Sequence, residues 1–152
     1  MAYPNELGQI LLDSAKQCFY PQWFGSYGVE NQDLIKIAKE NADGIIYTAM
    51  FDANKNDPKL QSYLKNYYKR YKKDSDQFSA LAYESLEIVV NALNNCEDTN
   101  TDCIKNELYN TNNFQGVTGK LSFDKNGDTE KEVFLKTIKD GKFVLFEDES
   151  LK

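Results

Sequence analysis

Two helical patterns stand almost back to back between Asp57 and Leu93, and everything after Phe114 is written in a different period. Asp57 before Pro58 is a helix start, with an acceptor side chain at the cap and a ring that fits the first turn. Leu60, Tyr63, Leu64, Tyr67, Tyr68 and Tyr71 then recur at helical spacing, with Lys65, Lys69, Arg70, Lys72 and Lys73 mostly on the other side. The four tyrosines read better as a half-buried face with hydroxyls at its rim than as a stacking platform. From Phe78 to Leu93 the pattern is apolar on most sides, which predicts a buried helix. Past Phe114 the chain becomes Gly-punctuated and β-prone. Asn126-Gly127 favours a tight hairpin, and Val133–Ile138 and Lys142–Phe146 read as strands around a turn at Lys139-Asp140-Gly141.

The first third mixes both periods. Leu7, Ile10, Leu11 and Ala15 mark a helical stripe with Pro4 near its start. The segment Tyr20–Gly25 breaks it and holds a short strand. Gly25-Ser26-Tyr27-Gly28 reads as a loop whose glycines allow close backbone approach. Asn31 caps a helix with Leu34, Ile35 and Ala38 on its apolar face, stopped by Gly44. Ile45–Phe51 is then a buried strand. A short helix follows the second cysteine and carries Ile104 and Leu108.

Charge and composition narrow the function classes. A net charge of −6 argues against nucleic-acid binding, which needs basic stripes to displace counterions. With no histidine, the commonest general base and the commonest metal ligand are missing. Cys18 could be a nucleophile, but no histidine exists to activate it, and its place on the apolar side of its helix predicts a core residue. Cys96 and Cys103 flank a short polar loop. That pattern suggests a disulfide, with two free thiols as the alternative, and no second pair of ligand-type residues accompanies them for zinc. Asp124-Lys125-Asn126-Gly127-Asp128 starts like a calcium loop but fails the spacing: counted from Asp124, Gly127 is fourth and Leu135 twelfth. Gly116-Val117-Thr118-Gly119-Lys120 leads into a strand rather than a helix, so it is no phosphate cradle. The start, Met1-Ala2-Tyr3-Pro4-Asn5-Glu6, is polar and lacks the basic stretch of a secretion signal, so either the protein stays inside or its true N-terminus lies upstream.

Several segments, in order, resemble one family. Phe114-Gln115-Gly116-Val117-Thr118-Gly119, Phe123-Asp124-Lys125-Asn126-Gly127-Asp128 and Lys139-Asp140-Gly141-Lys142-Phe143 are similar to the closing pattern of type I periplasmic binding proteins, nearest the leucine/isoleucine/valine-binding group. Tyr3-Pro4-Asn5-Glu6 looks like that family's tyrosine-proline turn, Ala42-Asp43-Gly44-Ile45 like its approach to a hinge strand, and Ala82-Tyr83-Glu84-Ser85 like its alanine-tyrosine-aspartate-alanine helix.

The resemblance implies an α/β fold of periplasmic-binding-protein type I, incomplete here, with parts of both three-layer lobes. By analogy residues 1–48 belong to the second lobe, 49–131 to the first, and 132–152 return to the second. The implied function is non-catalytic: the extracytoplasmic subunit of an ABC importer, which captures an amino acid or similar solute between lobes and presents it to a membrane permease. It needs no cofactor and no metal. Rivals are the ligand-binding domain of a sensor on the same fold, or a small enzyme using Cys18 or a carboxylate pair. Strands missing from both sheets would expose edges, leaving homodimerisation or strand exchange open. The implied ligand-facing positions are Tyr3 and the loop Gly25, Ser26 and Tyr27. Branched-chain binders carry a glutamate where Tyr27 stands, to hold the ligand ammonium. A phenol supplies no charge at neutral pH, so Glu30 is the candidate partner, or the ligand differs. An oxidising compartment agrees with a Cys96–Cys103 disulfide.

Overall fold

The computed structural model describes residues 3–147; the outermost ends of the expected segments 1–48 and 132–152 lie outside the described residues. The chain folds as two compact units. One is built from the described residues up to Ala49 and from Val133 onward; the other runs Met50–Glu132.

The first unit is a four-stranded sheet with helices on one face. Helix α1 (Pro4–Lys16) starts at a proline, and α2 (Gln32–Ala38) starts where the Asn31 side chain accepts the Asp33 amide at 2.8 Å. The strands are β1 (Phe24–Gly25), β2 (Ile46–Ala49), β6 (Phe134–Lys139) and β7 (Lys142–Leu145), in the spatial order β1-β2-β6-β7. β1 runs parallel to β2, and the β2–β6 and β6–β7 pairs are antiparallel. Leu11, Leu34, Ala38 and Ala42 bury against Ile45, Tyr47, Ala49 and Ile138 to form its core. The opposite face carries Thr48 and Leu135, both exposed. The turn between β6 and β7 has positive φ at Asp140 (51°) and Gly141 (67°), the geometry of a two-residue hairpin. Both turn amides donate to the Asp43 carboxylate, at 2.9 and 3.1 Å, which fastens the hairpin to the entry of β2.

The second unit holds α3 (Pro58–Tyr71), α4 (Gln77–Asn94), α5 (Thr101–Tyr109) and a three-stranded antiparallel sheet of β3 (Phe114–Gly116), β4 (Gly119–Phe123) and β5 (Thr129–Lys131). The Asp57 carboxylate caps α3 by accepting the Lys59 and Leu60 amides. Its tyrosine face is half-buried: Tyr63 and Tyr67 lie 5.8 Å apart, and their hydroxyls pair with Ser75 and Ser79 at 2.9 and 3.0 Å. Cys96 and Cys103 form a disulfide, linking the end of α4 to α5.

Three expectations need correction. Helix α2 ends at Ala38, not at Gly44: Lys39 turns left-handed (φ 51°), and a 3-10 turn, Lys39–Ala42, separates the two. Cys18 is exposed rather than core, because α1 ends at Lys16 and Cys18 lies beyond it with φ 54°. Helix α4 is not buried all round. It buries the stripe Gln77, Ala80, Glu84, Ile88 and Ala92, while Phe78, Leu86 and Val90 stay exposed. The buried stripe thus includes two polar residues, Gln77 and Glu84.

Candidate functional site: the loop from Gly25 to Glu30

The expected ligand-facing residues all fall in the first unit. Gly25 ends β1, Ser26 precedes a 3-10 turn over Tyr27–Val29, and Glu30 closes that turn. The Ser26 carbonyl accepts the Val29 amide at 3.0 Å, and the Tyr27 carbonyl accepts the Glu30 amide at 3.3 Å. Tyr27 is 44% exposed. Tyr3 is placed apart in sequence, at the N-terminal cap of α1, where it is largely exposed and its carbonyl accepts the Leu7 amide.

The loop's first glycine serves the protein before it serves a solute. A Cβ on Gly25 would stand 2.4 Å from the Val29 Cγ2, so glycine is needed because Val29 folds back onto the strand end. Gly28 has open space around its missing Cβ. The turn therefore rests on β1 through Val29, which is buried, and presents Tyr27 and Gly28 outward.

Glu30 anchors the other end. One carboxylate oxygen accepts from Lys136 Nζ at 2.6 Å and the other from the Tyr47 hydroxyl at 3.1 Å. Strand register explains the convergence: Gly25 pairs with Tyr47 across β1–β2, and Tyr47 pairs with Lys136 across β2–β6, so three strands offer one row beneath the turn. Tyr47 and Lys136 are almost wholly buried, and the Glu30 side chain is 14% exposed. Burial, and then the Glu30 charge, pushes the Tyr47 phenol far above its usual value, so it stays a hydrogen-bond donor. Sequence reasoning singled out Glu30 but not Tyr47 or Lys136. The signal available was a lysine at an inward position of β6, two residues before the core residue Ile138.

The family profile described as "Periplasmic binding protein" matches residues 11–142. The chain belongs to the periplasmic binding protein family. Among proteins it resembles, the leucine-, isoleucine-, valine-, threonine- and alanine-binding protein of Pseudomonas aeruginosa is 24% identical over 126 residues, which cover 83% of this chain and 33% of that protein. A leucine-binding protein of Thermotoga maritima superposes with a TM-score of 0.88 at 23% identity, covering 96% of this chain and 42% of the other. The branched-chain amino acid transporter substrate-binding protein of Streptococcus pneumoniae, solved in complex with isoleucine, gives a TM-score of 0.82 at 30% identity, covering 93% and 41%. The fold is thus that of the type I periplasmic binding proteins, and this chain spans only about a third to two-fifths of the length of these relatives. In this periplasmic binding protein chain, the loop Gly25–Glu30 is the candidate binding element, on a sheet whose helix-covered face is closed beneath it.

Proposed function

We propose that this chain is part of the solute-capturing subunit of an ABC importer, holding an aliphatic amino acid between two lobes on the outer side of a membrane. The observation that carries the reading is the family match across residues 11–142, joined to 30% identity with a transporter substrate-binding protein that holds isoleucine. In this reading the unit ending at Ala49 and resuming at Val133 belongs to the second lobe, and Met50–Glu132 belongs to the first. The disulfide supports an extracytoplasmic site of action. Capture needs no bond-making step and no cofactor, and the exposed Cys18 has no histidine in the sequence to activate it.

Tyr27 offers an aromatic ring and one hydroxyl to the ligand, from a turn fixed at both ends, with Ser26 and Gly25 shaping its approach and Tyr3 as a further contact of the same lobe. The test is calorimetry against a panel of amino acids, using the longest natural form of the protein that carries these residues. Micromolar or tighter binding of leucine or isoleucine is expected. Tyr27→Ala then weakens it by roughly 1–3 kcal/mol, about ten- to hundredfold. Tyr27→Glu should improve affinity for branched-chain amino acids by supplying a partner for the ammonium. No binding across the panel would overturn the amino-acid reading, and unchanged affinity in Tyr27→Ala would remove Tyr27 from the site.

A further inference from the structure

The geometry points to Glu30 as a positioning residue: its carboxylate, held by Lys136 and Tyr47, fixes the turn that presents Tyr27, rather than meeting the ligand's ammonium itself. The inference rests on the amino-acid reading for what the turn holds, but its structural core does not.

The first observation is that both Glu30 oxygens are already engaged, one by a buried ammonium at 2.6 Å and one by a buried phenol at 3.1 Å. A ligand ammonium at Glu30 would share the carboxylate with Lys136, placing two cations on one anion where one of them is cut off from water. The second is where the partners stand. Tyr47 and Lys136 are directly paired on adjacent strands and are among the most buried residues of the unit, so they move with the sheet. Glu30 stands at the end of a three-residue turn. Its carboxylate is therefore the link that transmits the sheet's rigidity to a short segment. The third is the opposite anchor. Val29 packs onto Gly25 so closely that a Cβ there has no room, and Gly25 lies in register with the same Tyr47. An apolar clamp and an ionic one thus hold the turn from both ends of one row across the sheet. Residues so fixed keep a binding element preorganised, which lowers the ordering cost of capture. The buried cation also gives Glu30 a reason to be acidic that has no connection with ligand charge.

Two variants test this, Glu30→Gln and Lys136→Met, in the longest natural form of the protein. The first readout needs no ligand: hydrogen–deuterium exchange over Phe24–Asn31. Faster exchange there, by about tenfold or more, with the rest of the first unit and the whole second unit unchanged, is the expected result. Unchanged exchange in the turn, or a rise spread evenly over the first unit, overturns the proposal. Tyr47→Phe removes one hydrogen bond and keeps the packing. It should move exchange in the same direction by less, and it decides the matter if either charge variant fails to fold. The second readout compares leucine with isocaproate, the same skeleton without the amino group. A positioning role predicts that Glu30→Gln weakens both ligands by the same factor. Loss of leucine affinity with isocaproate unaffected would make Glu30 the ammonium partner and overturn the proposal. If the wild type binds neither, the amino-acid reading fails, and the exchange data still decide whether Glu30 positions the turn.

Discussion

Among the described residues each unit buries a glutamate–lysine pair, and the two pairs are built for different ends. In the second unit Glu84, on α4, pairs with Lys131 on β5, and the Thr118 amide and hydroxyl add bonds of 2.8 and 2.9 Å. Both side chains are sealed, at 3% and 4% exposure. In the first unit Glu30 pairs with Lys136 and Tyr47 but keeps 14% of its side chain open, on a turn rather than a helix. The sealed pair fastens a helix to a hairpin. The partly open one ties a three-residue turn to the sheet beneath it. A buried ion pair is weak evidence of net stabilisation, because desolvation offsets attraction; what differs here is what each pair positions.

The sharpest way to break this comparison is to remove each carboxylate in turn. Glu84→Ala strands Lys131 in the interior and leaves the Thr118 amide without its acceptor, so it should cost about 3–5 kcal/mol. Glu30→Ala should cost clearly less, because water can reach the site it vacates. Urea unfolding followed separately in each unit measures both. An equal or larger loss for Glu30→Ala would show that its partial exposure is irrelevant.

The disulfide belongs to the second unit alone among the described residues, and it sharpens the contrast. Replacing Cys96 and Cys103 by serine should destabilise that unit by about 2–3 kcal/mol, the chain-entropy value for so short a loop. Hydrogen exchange should show the loss near α4 and α5, with the first unit unchanged. Thiol counting on unreduced, denatured protein from an oxidising compartment should find one free thiol, Cys18; three would remove the bridge.

Each pair also lies beside a glycine that makes room. A Cβ on Gly116 would stand 1.9 Å from a Glu84 oxygen, and one on Gly25 2.4 Å from the Val29 methyl. Gly116→Ala and Gly25→Ala should each cost about 1–3 kcal/mol by overpacking. The consequences should separate: Gly116→Ala lowers stability without touching ligand affinity, whereas Gly25→Ala weakens leucine binding as well. A pure stability effect for Gly25→Ala would detach β1 from the site.

What was legible in the sequence was local. Asp57-Pro58, Asn31 and the Asp140-Gly141 turn each carry their structure in adjacent residues, and the structure places elements there. What was not legible is pairing at a distance. Glu84 and Lys131 are 47 residues apart, and Glu30 and Lys136 are 106. Neither separation leaves a periodic trace. On α4 the apolar pattern misled for a related reason: the buried face also carries Glu84, whose partners Lys131 and Thr118 lie far along the chain, and hydrophobic period does not register them. Gly25 was legible as a special position, but its reason, the return of Val29, depends on the turn closing.

Asp124, half-buried on its turn, is the carboxylate to set against the two paired glutamates, and it should show the smallest effect. Among the described residues it pairs with no lysine; its Oδ1 accepts the Asn126 and Asp128 amides, each at 2.8 Å, across the β4–β5 turn. The Asp128 amide foremost, with those of Asn126 and Gly127, holds its carboxyl below the usual aspartate value of 3.8. A carboxyl lowered on folding contributes stability that is present above its unfolded value and fades as pH falls toward its folded one. The hairpin's acid sensitivity should therefore begin below about pH 4 and stay slight, because solvent screens the charge. Asp124→Asn keeps the Oδ1 acceptor, so the turn should survive while this pH dependence disappears. An NMR titration of the Asp124 side-chain carbon reads the shift directly. A midpoint at the ordinary aspartate value would mean that the turn amides do not favour the charged form.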